Sequence, residues 1–205
     1  MEALRRYTNL PAVLAMLRSQ AITLLPPDTW DDMNDRRLLE TYRRGRGLES
    51  VLCLCFAQAA ETYHHWKVFS PGTDGMCVVF DKHRLLASLP KVEVQHRSVK
   101  YFKVQELSAT EPALDDLPFA KRIAYKPEAE FRLLWTSATE KAPSRSFNIP
   151  VTAIERLIIN PWLPKQLTEA IQETVRSIPD FATVEVLQST VTDGPAWKRL
   201  ADQYA

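Results

Sequence analysis

The stretch ETYHHWKVFSPGTDGMCVVFDK, residues 61–82, changes period half-way along, and that change decides the fold class. In its first half Tyr63, Trp66 and Phe69 recur every three residues, which suits a turn or two of helix with one apolar edge. Two neighbouring histidines cannot share a helix face, so at most one of His64 and His65 faces the core while the other meets solvent. Pro71-Gly72 and Asp74-Gly75 then make a tight turn. Beyond it Met76 to Phe80 is an unbroken apolar run of strand length, closed by Asp81. Helix, turn and buried strand in succession predict an α+β fold. Aromatic and titratable groups gathered beside a turn also mark a candidate cleft, although an ordinary core corner is built from the same residue types.

Toward the N-terminus, residues 51–56 (VLCLCF) are continuously apolar, the pattern of a strand covered on both faces. The segment before it carries carboxylates from Asp28 to Asp35 and arginines at Arg43, Arg44 and Arg46, so it reads as a helix with charges matched to its dipole, released at Gly45 and Gly47. Arg36 and Arg43, like Arg37 and Arg44, share helix faces. The cluster Arg36, Arg37, Arg43, Arg44 and Arg46 is therefore a candidate contact for phosphate or nucleic acid, while dipole complementation and solvation explain the same residues. Residues 21–25 read as a short strand stopped by Pro26-Pro27. Before them Leu10, Val13, Leu14 and Leu17 make the apolar face of a helix capped by Asn9, after an extended piece at 5–8.

Toward the C-terminus, Asp81 and Lys82 start a short helix ending near Leu89. Residues 92–94 and 99–101 form a strand pair or one bent strand, with His96 and Arg97 between them. Residues 109–118 are acidic and proline-containing, a candidate lid, and 119–125 read as a short helix with Lys121 and Arg122 exposed. In PEAEFRLLW, residues 127–135, the alternation places Ala129, Phe131, Leu133 and Trp135 on one strand face and Glu128, Glu130 and Arg132 on the other. Those charges face water, pair internally or serve a ligand. The final third reads as strands at 146–149 and 156–159, a helix at 165–177 with apolar Leu167, Ile171, Val175 and Ile178, and a strand at 183–187, which suggests a parallel crossover. From Pro195 a last short helix docks back through Trp197 and Leu200. The whole predicts a single domain over residues 1–205: a mixed central sheet flanked by short helices, with a strand-helix-strand unit near the C-terminus.

With 26 basic and 25 acidic residues and a net charge of +1, no global field draws in nucleic acid or an anionic membrane, so any such partner needs a local patch. Cys53, Cys55 and Cys77 are odd in number, lie in apolar runs and lack C-x-x-C spacing, which predicts buried, reduced thiols. No ligand pair at workable spacing accompanies His64 and His65, so no metal is expected. No stretch approaches the roughly 20 apolar residues of a membrane span or opens like a signal peptide, so a cytoplasmic protein with no membrane partner is expected.

Taken in order, several blocks resemble a widespread bacterial and phage family of domains of unknown function. They are Leu24-Leu25-Pro26-Pro27 with Trp30 and Asn34-Asp35; Cys55-Phe56; His65-Trp66 through Gly75-Met76-Cys77-Val78-Val79-Phe80-Asp81; Val99-Lys100-Tyr101; and Glu128-Ala129-Glu130-Phe131-Arg132, an E-x-E-x-R motif. Arg36 stands where that family usually has proline, and Phe69 near where a tyrosine is usual. The layout in turn resembles, remotely, the ADP-ribosyltransferases. That resemblance implies NAD as the dinucleotide and Glu130, or Glu128, as the catalytic carboxylate holding the ribose 2′-hydroxyl. It also implies a ligand-binding set of Tyr7, Tyr63, His65, Trp66 and Arg132, with Tyr63 or Trp66 stacking on the nicotinamide and Tyr7 or Arg6 anchoring the dinucleotide. Two alternatives stay open. One is a magnesium-dependent nuclease using Glu128, Glu130 and Asp81 or Asp74, although Arg132 stands where such a strand usually has lysine. The other is a non-enzymatic binding or regulatory module, an accessory to a phage-defence or mobile-element system, with Trp162, Trp197 and the arginine helix as contact surfaces.

Overall fold

The computed structural model describes residues 2–106 and 111–204. Among them the strands are β1 (Ala3–Asn9), β2 (Ala21–Leu24), β3 (Ser50–Ala57), β4 (Gly75–Asp81), β5 (Val94–Ser98), β6 (Lys100–Phe102), β7 (Ala120–Arg122), β8 (Glu130–Ser137), β9 (Arg145–Asn148), β10 (Ile154–Ile159) and β11 (Glu185–Gln188). The helices are α1 (Leu10–Ser19), α2 (Met33–Gly45), α3 (Tyr63–Phe69), α4 (Lys82–Ser88), α5 (Lys165–Arg176) and α6 (Pro195–Asp202). These elements sort into two compact units, neither continuous in sequence: Met1–Gln20, Ala60–Ala87 and Ile149–Ala205 form the first, Ala21–Ala59 and Ser88–Asn148 the second.

The first unit is a mixed sheet with helices. β4 lies antiparallel to both β1 and β10, and every one of its residues is buried, as its apolar run predicts. β11 runs parallel to β10, and α5 makes the crossover that two parallel strands require. Ile171, Val175 and Ile178 are buried as predicted, while Leu167 is half-exposed and Thr168 takes the inward place beside it. α1 starts where Asn9 Oδ1 accepts the Ala12 N–H at 3.0 Å and ends at Gln20 in the left-handed region. α4 is capped in the same way by Asp81, which accepts the Arg84 N–H at 2.9 Å. α6 forms, but its predicted docking residues face out: Trp197 is 77% exposed and Leu200 also lies exposed, because an eight-residue helix presents both on a side that packs on nothing described.

In the second unit β8 is central, antiparallel to β3 over eight residue pairs, from Ser50 opposite Ser137 to Ala57 opposite Glu130, and antiparallel to β5 along its other edge. β2 and β9 form a separate antiparallel ribbon, and β6 and β7 a short parallel pair. Leu39 and Tyr42 of α2 pack with Val51, Cys53, Phe119 and Leu134 into a core. Three sequence expectations are corrected here. His96 and Arg97 lie within β5, paired to β8, not between two strands. Residues 120–122 are the strand β7, not helix, and Lys121 is largely covered rather than exposed, drawn inward by carboxylates. Of the candidate lid, Ala109 and Thr110 lie outside the described residues; the remainder includes a 3-10 turn at Leu114–Phe119, tied down by Asp115 to Arg46 and by Asp116 to Arg97 at 2.8 Å.

All three cysteines are free thiols. Burial pushes Cys53 up to about 12 and raises Cys55 and Cys77 as well, so none is poised as a nucleophile. Among the described residues no helix is long and apolar enough to cross a membrane.

Candidate active site

Glu130 and Arg132, two apart on β8, share a strand face, as the E-x-E-x-R alternation predicts. Arg132 has no exposed surface. Its Nε and Nη2 donate to Glu130 Oε1 at 2.8 and 2.7 Å, and Nη1 and Nη2 donate to Asp35 Oδ1 and Oδ2 at 3.2 and 2.8 Å. Nη1 also donates to the Pro118 carbonyl at 2.6 Å, and the guanidinium lies 4.8 Å from the Trp30 ring centre. Lys121, from β7, reaches Glu130 Oε2 at 3.0 Å, Glu128 Oε2 at 2.7 Å and Asp35 Oδ2 at 3.9 Å. The Cys55 thiol adds a hydrogen bond to Glu130, whose backbone N–H donates to Tyr101 Oη at 2.8 Å.

The chain enters this arrangement by an unpredicted route. Ala129 takes a left-handed conformation, φ 44°, so β8 begins at Glu130, and Glu128 approaches Lys121 from the preceding 3-10 turn, Ile123–Glu128. Residues from separate sequence blocks, Trp30 and Asp35, Cys55, Tyr101, and Glu128 to Arg132, thus converge on one cluster. Asp35 and Lys121 were not among the predicted site residues. The signal for Asp35 was present: it lies on one helix stripe with buried Leu39 and Tyr42, and a carboxylate at a core position calls for a buried cation. Lys121 carried no such signal, because AKRIAY also fits a solvated helix.

Asp35, Glu128 and Glu130 face two cations, Lys121 and Arg132, so one negative charge is in excess and the carboxyls titrate as a group. Burial opposes the charge on Glu130, but Arg132 and then Lys121 outweigh it and hold the carboxyl down at about 2. Burial lifts Asp35 and Glu128 above the ordinary carboxylate range, against the pull of Arg132 on the first and Lys121 on the second. Burial likewise pushes Tyr101 up to about 12, which keeps its hydroxyl protonated.

The aromatic segment of the first unit is built separately. Thr62 Oγ1 accepts the His65 N–H at 3.2 Å and starts α3, which buries His65 and Trp66 and leaves His64 in solvent. The Tyr7 ring lies 5.4 Å from His65, 5.2 Å edge-on from Trp66 and 6.2 Å from Phe69. Trp66 is fully buried and donates its indole N–H to Glu61 Oε1 at 2.6 Å; the Ser189 hydroxyl donates to the same oxygen. Tyr7 Oη is buried against the Cys77 thiol, a weak hydrogen-bond neighbour, with no oxygen or nitrogen partner among the described residues, and burial raises its pKa. Tyr63 stands apart from these rings, 45% exposed, edge-on to Trp162 at 5.6 Å, with Lys67 Nζ 3.8 Å over the Trp162 ring. Tyr7, His65 and Trp66 are therefore brought together and Tyr63 is not. The rings of Trp66 and the guanidinium of Arg132 have no exposed surface. Asn160, absent from the predicted set, fixes the neighbouring turn: Nδ2 donates to the Gly72 carbonyl at 2.9 Å and Oδ1 accepts the Trp162 N–H at 2.8 Å.

On α2, Arg43 and Arg44 share Glu40, and Arg46 pairs with Asp115, so three of the five candidate phosphate ligands already have carboxylates; Arg36 and Arg37 lie exposed. Among the described residues no three His, Cys, Asp or Glu side chains are placed to hold a metal ion, and in the Glu130 cluster two protein cations stand between the carboxylates.

No family model matches the chain, and no curated protein does. Solved structures similar to it include Thermus sp. 2.9 DarT in complex with NAD+, at a TM-score of 0.46 and 12% identity, covering 92% of this chain and 95% of that one. The complex with carba-NAD+ has a TM-score of 0.45 at 11% identity, covering 92% and 95%, and the complex with ADP-ribosylated ssDNA 0.48 at 12%, covering 92% and 94%. At these values nothing about the activity of this chain follows from the similarity.

Proposed function

We propose that the chain is an NAD-using, ADP-ribosyltransferase-like enzyme with Glu130 as its catalytic carboxylate. The observation that carries this reading is the placement of Glu130, buried between the Arg132 guanidinium and the Lys121 ammonium, which favour its ionised form. As the bond to nicotinamide breaks, positive charge spreads over the ribose, and a fixed anion shielded from water offsets that charge where it develops. Arg132 fixes Oε1; Oε2, shared with Lys121, is the oxygen that takes the ribose hydroxyl. Glu130→Gln keeps the shape and removes the charge. NAD turnover, read as nicotinamide release, is expected to fall by about 100-fold or more, as on loss of other preorganised electrostatic groups. Equal turnover in variant and parent removes Glu130 from the mechanism.

A second reading is favoured by the saturation of the cluster. Both Glu130 oxygens are engaged, as suits a structural ion network in a non-enzymatic binding or regulatory module. On that reading Glu130→Gln lowers stability, and NAD gives no heat of binding with the parent.

A further inference from the structure

The two cations on Glu130 differ in freedom. Arg132 has no exposed surface and binds Glu130, both oxygens of Asp35 and the Pro118 carbonyl, so withdrawing it would strand two buried carboxylates. Lys121 makes one contact with Glu130, at 3.0 Å, through a flexible stem and a point charge whose donors rotate. Its side chain is 10% exposed, and two other carboxylates, Glu128 at 2.7 Å and Asp35 at 3.9 Å, already lie beside its ammonium. The Tyr125 ring centre is 4.7 Å away, a further face for the charge. Glu128, with 15% of its side chain exposed, is the most open of the three carboxylates, and the left-handed turn at Ala129 sets it off the strand beside Lys121.

Resting on the NAD reading above, we infer that Lys121 is a resident counter-cation that a ligand displaces from Glu130 Oε2, and that Glu128 is the carboxylate that keeps it. A ribose hydroxyl, or the positive charge that develops beside it, takes the vacated position, and Lys121 swings fully onto Glu128 without leaving any charge unpaired. Lys121 and Glu128 are positioning residues. They set how readily a ligand reaches Glu130 and touch no reacting atom.

Calorimetric titration of NAD into the parent, Glu128→Gln, Lys121→Met and the double variant tests this. Glu128→Gln is expected to weaken NAD about tenfold, since the displaced lysine loses its nearest alternative partner. Lys121→Met binds as tightly as the parent or more tightly. In the double variant the Glu128→Gln penalty shrinks to less than about twofold, because no lysine remains to be received. Thermal unfolding without NAD identifies any variant that has lost its fold. Should Lys121→Met be one, Lys121→Arg replaces it, expected to weaken NAD more than Glu128→Gln does, because a guanidinium holds Glu130 more firmly; unchanged affinity in Lys121→Arg overturns the inference. An equal Glu128→Gln penalty with and without Lys121 also overturns it, by showing that Glu128 meets the ligand directly. So does unchanged affinity in Glu128→Gln. A parent that binds NAD while the variants show no coupling overturns only the role of the lysine; a parent that binds no NAD overturns the proposed function along with it.

Discussion

The two units bury their distinctive residues by opposite means. In the first, Tyr7, His65 and Trp66 are held by ring packing, and one carboxylate, Glu61, serves the buried indole. In the second, Asp35, Lys121, Glu128, Glu130 and Arg132 place charges of both signs where a core would ordinarily be apolar. Close packing is indifferent to pH and loses stability in proportion to the contacts removed. In an ion cluster each charge is the reason that another can be buried, so the loss of one member is felt by all.

Removing Arg132 breaks that contrast most sharply. Arg132→Met, apolar and of similar length, leaves Asp35 and Glu130 without their shared cation and is expected to lower stability at neutral pH by about 3–5 kcal/mol in urea unfolding. The pH dependence gives the cause. Glu130 has a folded value of about 2 against an ordinary 4.5, so its stabilisation is complete above about 4.5 and lost as pH falls toward 2. Asp35 and Glu128, raised by burial, act oppositely: their charged forms oppose folding at neutral pH, and the opposition is relieved as pH falls through their folded values. In Arg132→Met the loss on the acid side attributable to Glu130 should shrink. An unchanged acid limb would mean that Arg132 does not hold Glu130 ionised.

A pair of tyrosines, one from each unit, sharpens the contrast at smaller magnitude. Tyr101 accepts the backbone N–H of Glu130, and Tyr101→Phe strands that donor at an expected cost of about 1–3 kcal/mol. Tyr7→Phe removes a buried hydroxyl whose neighbour is the weakly bonding Cys77 thiol, so stability should change by less than about 1 kcal/mol. The two variants, unfolded side by side, should differ in size; equal losses would erase the distinction between a hydroxyl that serves a backbone N–H and one that meets a thiol.

Local pattern carried much of the architecture into view. The period of α1, the apolar runs of β3 and β4, the β10–α5–β11 crossover and the burial of no more than one of His64 and His65 are all decided by neighbours within a few residues. The ion cluster is decided otherwise. Asp35 and Arg132 meet across 97 positions, and a pairing of that range leaves no period to detect. Lys121 was misplaced for the same reason, since what pulls it inward lies on other elements. Trp197 erred in the opposite direction: an aromatic residue on an amphipathic helix gives no hint that its surroundings are open.

Ala129 restricts what can replace it. A left-handed residue with a β-carbon is strained by about 1–2 kcal/mol, and a branched side chain there would fare worse than alanine. Position 129 therefore favours glycine or asparagine and disfavours β-branched residues, although Gln20 adopts the same conformation at the end of α1. The handedness of a single peptide unit, more than any pleat, keeps the two glutamates within reach of one ammonium.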